Sequence, residues 1–300
     1  MKCSVIILNW NGAEMLRRYL PSVVANTTLP DSEVVVADNG SSDESVEVLT
    51  KEFPSVHIIP LDQNYGFAEG YNRAIAQTDS EYVILLNSDV EVTPGWLETL
   101  IEYMESHPHI AAVQPKIRSW KERDKFEYAG AAGGYLNWLG YPSCRGRKFG
   151  GVETDKGQYD SIAEVDWTTG ACMCVRTKVY KDCGGLDASF FAHQEEIDLC
   201  WRMRNKGWKL ACIPQSVVYH LGGGSLSYDN PRKTYLNFRN NLLMIYKNQQ
   251  HRWLVLSIRC CLDYAAALFY LLQGKTGSAK AIINARSDYR RMRKQYKSNL

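Results

Sequence analysis

Four short apolar runs in the first ninety residues each stop on a cluster of amides, acids or glycine. Ser4–Leu8 (SVIIL) runs into Asn9-Trp10-Asn11-Gly12, and Glu33–Ala37 (EVVVA) into Asp38-Asn39-Gly40-Ser41-Ser42-Asp43. Val56–Pro60 leads to a loop holding Asn64 to Gly70, and Val83–Leu86 stops at Asn87-Ser88-Asp89. The runs are too short for buried helices and rich in β-branched residues, so they read as strands covered on both faces. Between them the apolar spacing is helical: Met15, Leu16, Tyr19, Leu20, Val23 and Val24 over residues 13–26. Ser42 is positioned to cap a helix over Glu44–Phe53, and another helix lies near Ala68–Gln77. This alternation predicts an α/β fold with a mostly parallel central sheet. Such sheets bind ligands at the carboxyl ends of their strands, where the polar clusters sit.

The second half is less regular. Residues 119–162 are rich in Gly, Tyr, Arg and Lys with little periodicity, and a loop this long is functional or disordered. Regular structure resumes over Glu164–Val175. Helices are expected near Thr177 and over Glu195–Lys206, and separate strands over Lys209–Ile213 and Ser216–Tyr219. The nine cysteines show no zinc-ribbon or finger spacing, so they read as free thiols of a reducing compartment. No cationic leader with a cleavage site precedes the first strand, which points to a cytoplasmic protein. A net charge of +2 gives no indication of nucleic-acid binding. Charge is nonetheless uneven: residues 275–300 carry eight Lys/Arg against one acid, Asp288, leaving an acidic body and a basic tail.

Three segments carry chemistry-bearing side chains. Asn87-x-Asp89 puts two oxygen donors on one side of a strand end, where they either hold a divalent cation or cap a turn. Asn64-x-Gly66-x₃-Gly70-x-Asn72-Arg73 leads into a helix, where glycines admit close backbone approach and the helix start favours anions. In FFAHQEEIDLCWR (190–202), Glu195 and Glu196 fall in a first helical turn beside aromatic residues. They are either a general base with raised proton affinity or an acidic helix start. Asp198 and Arg202 stand at i, i+4 and can pair. His220, after a strand, is either a ligand for a borderline cation such as Mn²⁺ or a structural residue.

Taken in order, SVIILNWNG, VVVADNGSSD, NYGFAEGYNRA, LLNSD, DWTTGACMCVR, GGLDASFFAHQEEIDLCWR and YHLGGGS resemble the family 2 glycosyltransferases with the GT-A fold, closest to the bacterial rhamnosyltransferase-like branch. The resemblance covers about residues 3–250. It implies a nucleotide-binding half (1–118), an acceptor and catalytic half (119–250) and a separate helical extension (251–300). It also implies inverting transfer of a sugar from a nucleotide-diphosphate donor to an acceptor hydroxyl, with Mg²⁺ or Mn²⁺ as cofactor. On this resemblance Asn9 and Asp38 hold the nucleoside, and Asn64, Gly66, Asn72 and Arg73 line the donor site. Asn87, Ser88 and Asp89 fill the DXD position, with Asp89 the main metal ligand and Asn87 standing where aspartate is common. Thr169, Gly170 and Ala171 floor the sugar pocket. Glu196 stands where the family has its base, usually an aspartate, with Glu195 as rival; His193 replaces a frequent tyrosine; His220 matches a residue contacting metal or diphosphate. The opposing reading is a catalytically inactive nucleotide-sugar-binding or scaffolding protein, which the departures at Asn87 and Glu196 would suit. Nucleotidyl transfer is disfavoured because the first strand lacks a phosphate loop rich in glycine and lysine.

Residues 253–272 are mostly apolar and long enough to span a bilayer, but Arg259 and Asp263 interrupt them. The expectation is a helix lying in or on a membrane, against packing on the catalytic domain. Its basic continuation (Arg286, Arg290, Arg291, Arg293, Lys294, Lys297) suits anionic lipid or is a solvated tail. A lipid-linked or glycan acceptor accords with that arrangement.

Overall fold

The computed structural model describes every residue except 129, 149–150, 223–229 and 297–300. Residues 223–225 of the His220 motif and Lys297 of the basic end therefore lie outside the described residues. The chain runs β1 (Cys3–Asn9), α1 (Ala13–Asn26), β2 (Ser32–Asn39), α2 (Ser45–Glu52), β3 (His57–Leu61), α3 (Gly66–Ala76), β4 (Tyr82–Leu86), β5 (Val90–Val92), α4 (Trp96–Ser106) and β6 (Ile110–Ser119). Next come the short strands β7 (Gly134–Leu136), β8 (Pro142–Cys144), β9 (Arg147–Lys148), β10 (Gly151–Val152) and β11 (Ala163–Val165). The rest is β12 (Cys172–Arg176), α5 (Thr177–Asp182), α6 (Glu195–Asn205), β13 (Lys209–His220), α7 (Pro231–Asn248), α8 (Arg252–Leu272) and α9 (Thr276–Met292).

Among the described residues the main sheet has the order β11-β13-β6-β12-β4-β1-β2-β3, with β5 added to β13. β1, β2, β3 and β4 are parallel, as are β6 and β13; β12 runs antiparallel to both β4 and β6. Strand alternation divides the apolar side chains between two cores. Val5, Ile7, Val34, Val36, Ile84 and Leu86 pack under Leu16, Leu20, Leu49 and Trp96 from α1, α2 and α4. Ile6, Val35, Ala37, Val83 and Leu85 face Tyr71, Ile197, Leu199, Leu242 and Ile245 from α3, α6 and α7. Each such fully buried aliphatic contributes about 1.5–3 kcal/mol.

Several expectations need correction. Ser42 does not cap α2: Asp43 does that work, its Oδ1 accepting from Ser45 N at 3.0 Å and its Oδ2 from Ala13 N at 3.1 Å. One carboxylate thus serves the start of two helices. Lys209–Ile213 and Ser216–Tyr219 are one strand, β13, irregular between Ile213 and Val217 where Pro214 interrupts the ladder. The described part of residues 119–162 is not wholly loop, since it contributes the pairs β7–β8 and β9–β10. All nine cysteines are free; Cys172 and Cys174 are buried in β12, where burial pushes both thiols up.

Arg259 and Asp263 do pair along α8, but a third partner, Arg286 of α9, also bonds Asp263, and Arg259 reaches Asn241 of α7. All three charges are buried. The opposite face of α8 exposes Trp253, Leu254, Leu262, Tyr264, Leu268, Phe269, Leu271 and Leu272. Between Trp253 and Leu272 that exposed face carries no charged side chain.

Candidate active site

The ends of β1 and β2 are joined side by side. Asn9 Nδ2 donates to Asp38 Oδ1 at 3.1 Å, and Asp38 Oδ2 accepts from Ser41 N at 3.0 Å. Asn9 Oδ1 is buried without a partner. A Cβ at position 12 would stand 2.4 Å from it, so any side chain there would displace the Asn9 amide. The next residue, Asn39, is equally important. Its Nδ2 donates to Asn64 Oδ1 (3.1 Å) and Gly66 O (3.2 Å), while its Oδ1 accepts from Tyr65 N (2.9 Å). Asn39 thereby ties the end of β2 to the start of α3, where Gly66 has a φ of 75° that a side chain would resist.

Asn72 and Arg73 are engaged by other parts of the protein. The Asn72 amide accepts from Tyr180 OH (2.7 Å) and Leu186 N (3.0 Å) and donates to Leu186 O (2.8 Å), so it fixes the chain before α6. Arg73 is exposed, bonded to Glu69 at 2.8 Å and stacked 3.8 Å over the Tyr65 ring.

At the end of β4, Tyr71 OH donates to Leu86 O at 2.9 Å, and Asn87 N bonds Ala171 O at 3.0 Å. The antiparallel register of β5 on β13 sets His220 opposite Val90, next to Asp89. His220 Nε2 lies 3.0 Å from Asp89 Oδ1 and 3.4 Å from Asn87 Nδ2. Its Nδ1 stands 3.6 Å from Glu127 Oε1. Burial alone would depress this imidazole. The hydrogen bonds and charges of Asp89 and Glu127 overcome that and push it up to about 10. Burial likewise opposes ionisation of Asp89, but His220 and the backbone hold its carboxyl below the usual range. Glu127 lies within the irregular 119–162 segment, and nothing in its sequence neighbourhood marked it.

The donor set decides whether these residues suit a cation. A carboxylate oxygen and an imidazole nitrogen face each other, with the Asn87 amide beside them; this is the kind of mixed O/N set that Mn²⁺ takes, provided the imidazole gives up its proton as a cation enters. Among the described residues no cluster of three His, Cys, Asp or Glu side chains forms a closed cage. A cation held by so few side chains would have to take its remaining ligands from water and phosphate oxygens.

The other wall is the start of α6. Glu195 is buried, and its Oε2 has no partner. Glu196 is half-buried, and its Cβ would lie 3.7 Å from a Cβ at Gly170. Phe67 of α3 closes on the same glycine. Burial pushes both carboxyls well above the usual carboxylate range, and the charge of Glu196 adds to the rise at Glu195. Gly170 and Ala171 thus lie between the two groups: Ala171 O holds Asn87, while Gly170 packs against Glu196. Ser88 is half-exposed between Asn87 and Asp89. His193 precedes α6 with a φ of 70°, and burial with Lys233 nearby pushes its imidazole down. Asp198 is not at the surface of the site. It pairs with Arg202 as its spacing requires, and also receives Lys247 Nζ (2.8 Å) and Asn248 Nδ2 (2.8 Å) from α7.

The sequence matches the glycosyl transferase family 2 profile over residues 4–156 and the glycosyl transferase family group 2 profile over residues 82–277. It is 28% identical over 234 residues to the N-acetylglucosaminyl-diphospho-decaprenol L-rhamnosyltransferase of Mycobacterium tuberculosis, covering 72% of this chain and 75% of that one. In fold it is similar to S. aureus TarS 1–349 in complex with UDP-GlcNAc (TM-score 0.63, 18% identity, 96% of this chain and 80% of that one). It is also similar to GalNAc-T7 with UDP, GalNAc and Mn²⁺ (TM-score 0.63, 16% identity, 97% of this chain and 54% of that one). With two family profiles that together span most of its sheet and both walls of its site, the chain belongs to the family 2 glycosyltransferases of GT-A fold, in their rhamnosyltransferase-like branch.

Proposed function

We propose that this glycosyltransferase moves a sugar from a UDP- or dTDP-sugar, dTDP-rhamnose among the candidates, to a hydroxyl of a glycan or lipid-linked acceptor during cell-surface polysaccharide synthesis, with inversion. The observation that carries the reading is the opposition of two unlike groups across Gly170 and Ala171: the Asp89–His220 pair on one side and the Glu196 carboxyl on the other. Asn9, Asp38, Asn64 and Gly66 form the rim that would take the nucleoside. Asp89 and His220, with Asn87, would hold a divalent cation. When bound, that cation supplies positive charge where the departing diphosphate accumulates negative charge. Glu196 would accept the proton of the acceptor hydroxyl, its raised proton affinity matching it to base chemistry near neutral pH. Gly170 leaves room for the sugar beside that carboxyl. The relatives' names support both halves of the proposal, one being a rhamnosyltransferase named for a diphospho-decaprenol substrate and another a fold neighbour solved with UDP-GlcNAc.

Incubating the protein with dTDP-rhamnose and a panel of UDP-sugars, a polyprenyl-diphosphate-linked GlcNAc acceptor and Mn²⁺ or Mg²⁺ tests this. One donor is expected to release its nucleoside diphosphate, and EDTA to suppress the release. Donor binding without turnover for every sugar would support the scaffolding alternative instead.

We also place the enzyme at the cytoplasmic face of a membrane. The nine free cysteines suit a reducing compartment, and the charge-free outer face of α8 suits the acyl layer. Exposed Arg290, Arg291 and Lys294, at and just past the end of α9, suit anionic headgroups. The expected result is sedimentation with vesicles containing phosphatidylglycerol but weaker sedimentation with purely zwitterionic ones. Leu268→Asp with Phe269→Asp should abolish it, since each substitution puts a charge in place of an exposed apolar side chain that would enter the acyl layer.

A further inference from the structure

We infer that Asn240 and Arg239 of α7 are positioning residues for Glu196: they hold residues 189–193 in a backbone shape the chain would not keep by itself, and so fix where α6 begins. The segment is unusual. Phe191, His193 and Gln194 have φ angles of 65°, 70° and 71°, in the left-handed region that residues with side chains avoid, and none is glycine. Gln194 is the last residue before α6, and it gives the helix no side-chain cap. Local hydrogen bonds such as Ala192 N to Phe190 O (2.8 Å) shape residues 187–192, but no side-chain cap sets the direction in which Glu195 and Glu196 leave the loop.

The determinant comes from forty to fifty residues away in sequence. Asn240, fully buried, points its Nδ2 at three carbonyls: Phe190 O at 3.0 Å, Ala192 O at 2.8 Å and His193 O at 2.8 Å. Three carbonyls of one short segment converge on one amide because the left-handed residues turn them all inward. Arg239 orients that amide, its Nε donating to Asn240 Oδ1 at 2.9 Å. The same guanidinium donates through Nη2 to Phe190 O (2.8 Å) and Ser189 O (3.1 Å). Asn241, next along, donates to Gln194 Oε1 at 3.2 Å. At the far end of α7, Lys247 and Asn248 grip Asp198, so α7 holds α6 on both sides of the two glutamates. A buried polar cluster this closely satisfied specifies one geometry, and a misplaced base is costly because proton transfer needs hydrogen-bond contact.

The inference rests on Glu196 being the base, so the test separates the two. Asn240→Ala, Arg239→Lys, Glu196→Gln and Glu195→Gln are compared with wild type for kcat, donor KM, affinity for UDP and dTDP in the presence of Mn²⁺, and melting temperature. Asn240→Ala is expected to lower kcat about 100-fold, the scale of a misplacement near 1 Å. Donor KM and nucleotide affinity should stay within about threefold, because the nucleotide rim is built on β1, β2 and α3. Arg239→Lys keeps the charge and Asn240 but loses the planar fork, and is expected to cost about tenfold in kcat. A kcat within twofold of wild type in folded Asn240→Ala overturns the inference, as does an equal loss of nucleotide affinity, which would signify general damage. If Asn240→Ala does not fold, Arg239→Lys decides by the same two criteria. Turnover surviving in both glutamate variants removes the base assignment and this inference with it. An inactive Glu196→Gln beside a fully active Asn240→Ala removes only the clamp.

Discussion

Glu196→Gln abolishes transfer, with kcat falling by about 10²–10⁴-fold, the usual contribution of a general base, while donor affinity stays near wild type. Glutamine keeps the length and shape of the side chain beside Gly170 but cannot take a proton. Glu195→Gln is the sharper control. Glu195 is buried while Glu196 is half-buried, so on the proposed reading Glu196 is the carboxyl more accessible to an acceptor. Glu195→Gln should therefore retain substantial turnover, and a larger loss there than at Glu196 would reverse the assignment. The pH dependence has a definite sign. The base works ionised and burial holds its pKa above the ordinary value of about 4.3, so activity is lost as pH falls through that raised pKa. The acid limb of kcat should accordingly lie above the ordinary carboxylate range. Stability runs the other way. A carboxyl whose folded pKa exceeds its unfolded one binds more protons when folded, so stability declines as pH rises from the unfolded pKa through the folded one. Either glutamine variant removes that cost, and each should melt at a higher temperature than wild type above neutral pH. A variant that is inactive yet more stable would separate catalytic loss from misfolding by thermal melts alone.

What could be read from the chain depended on sequence distance. The ends of β1, β2 and β4 were legible because a buried strand that stops on Asn9, Asp38 or Asn87-Ser88-Asp89 violates its own apolar pattern. The helical pairs Asp198–Arg202 and Arg259–Asp263 were legible because i, i+4 geometry is local. Their third partners, Lys247 and Arg286, come from other helices and leave no local signal. Asn39 sat in plain view beside Asp38, but its role depends on Asn64 and Tyr65 arriving from β3's far end. Asn72 reads the same whether its amide faces a ligand or, as found, the chain at Leu186. The reversed direction of β12 was hidden because a short, fully buried strand has the same pattern either way. Sequence could place the acids of the site, but not the asparagines and arginines that orient them, since those act through backbone carbonyls.

Asp263→Ala should be the most destabilising single change outside the two cores. Asp263 is the shared acceptor of Arg259 and Arg286, and all three are buried. Breaking a buried ion pair by removing one partner costs about 3–5 kcal/mol, because an uncompensated charge is left behind. Here two guanidinium groups lose their carboxylate together. Arg259 keeps Leu139 O at 3.2 Å, Asn241 and the Tyr141 ring at 3.9 Å; Arg286 keeps a 3.4 Å contact to Arg259 O and the Tyr264 ring at 5.6 Å. The expected loss sits at about 3–5 kcal/mol, a fall in melting temperature of roughly 10 °C. Replacing Arg259, Asp263 and Arg286 together by leucine or methionine should recover most of it, as buried ionic clusters commonly tolerate apolar substitution. The comparison also fixes the attitude of α8. If α8 lies in the plane of a membrane with this triad turned toward α7 and α9, the single variant is unstable in detergent-free solution and on vesicles alike. If instead α8 left the body of the protein to cross the bilayer, Asp263 would part from Arg286 there, and Asp263→Ala would lower the melting temperature in solution but not on vesicles. A drop of that size on vesicles as well as in solution therefore argues that the charged side of α8 belongs to the protein, leaving only its outer, uncharged face for lipid.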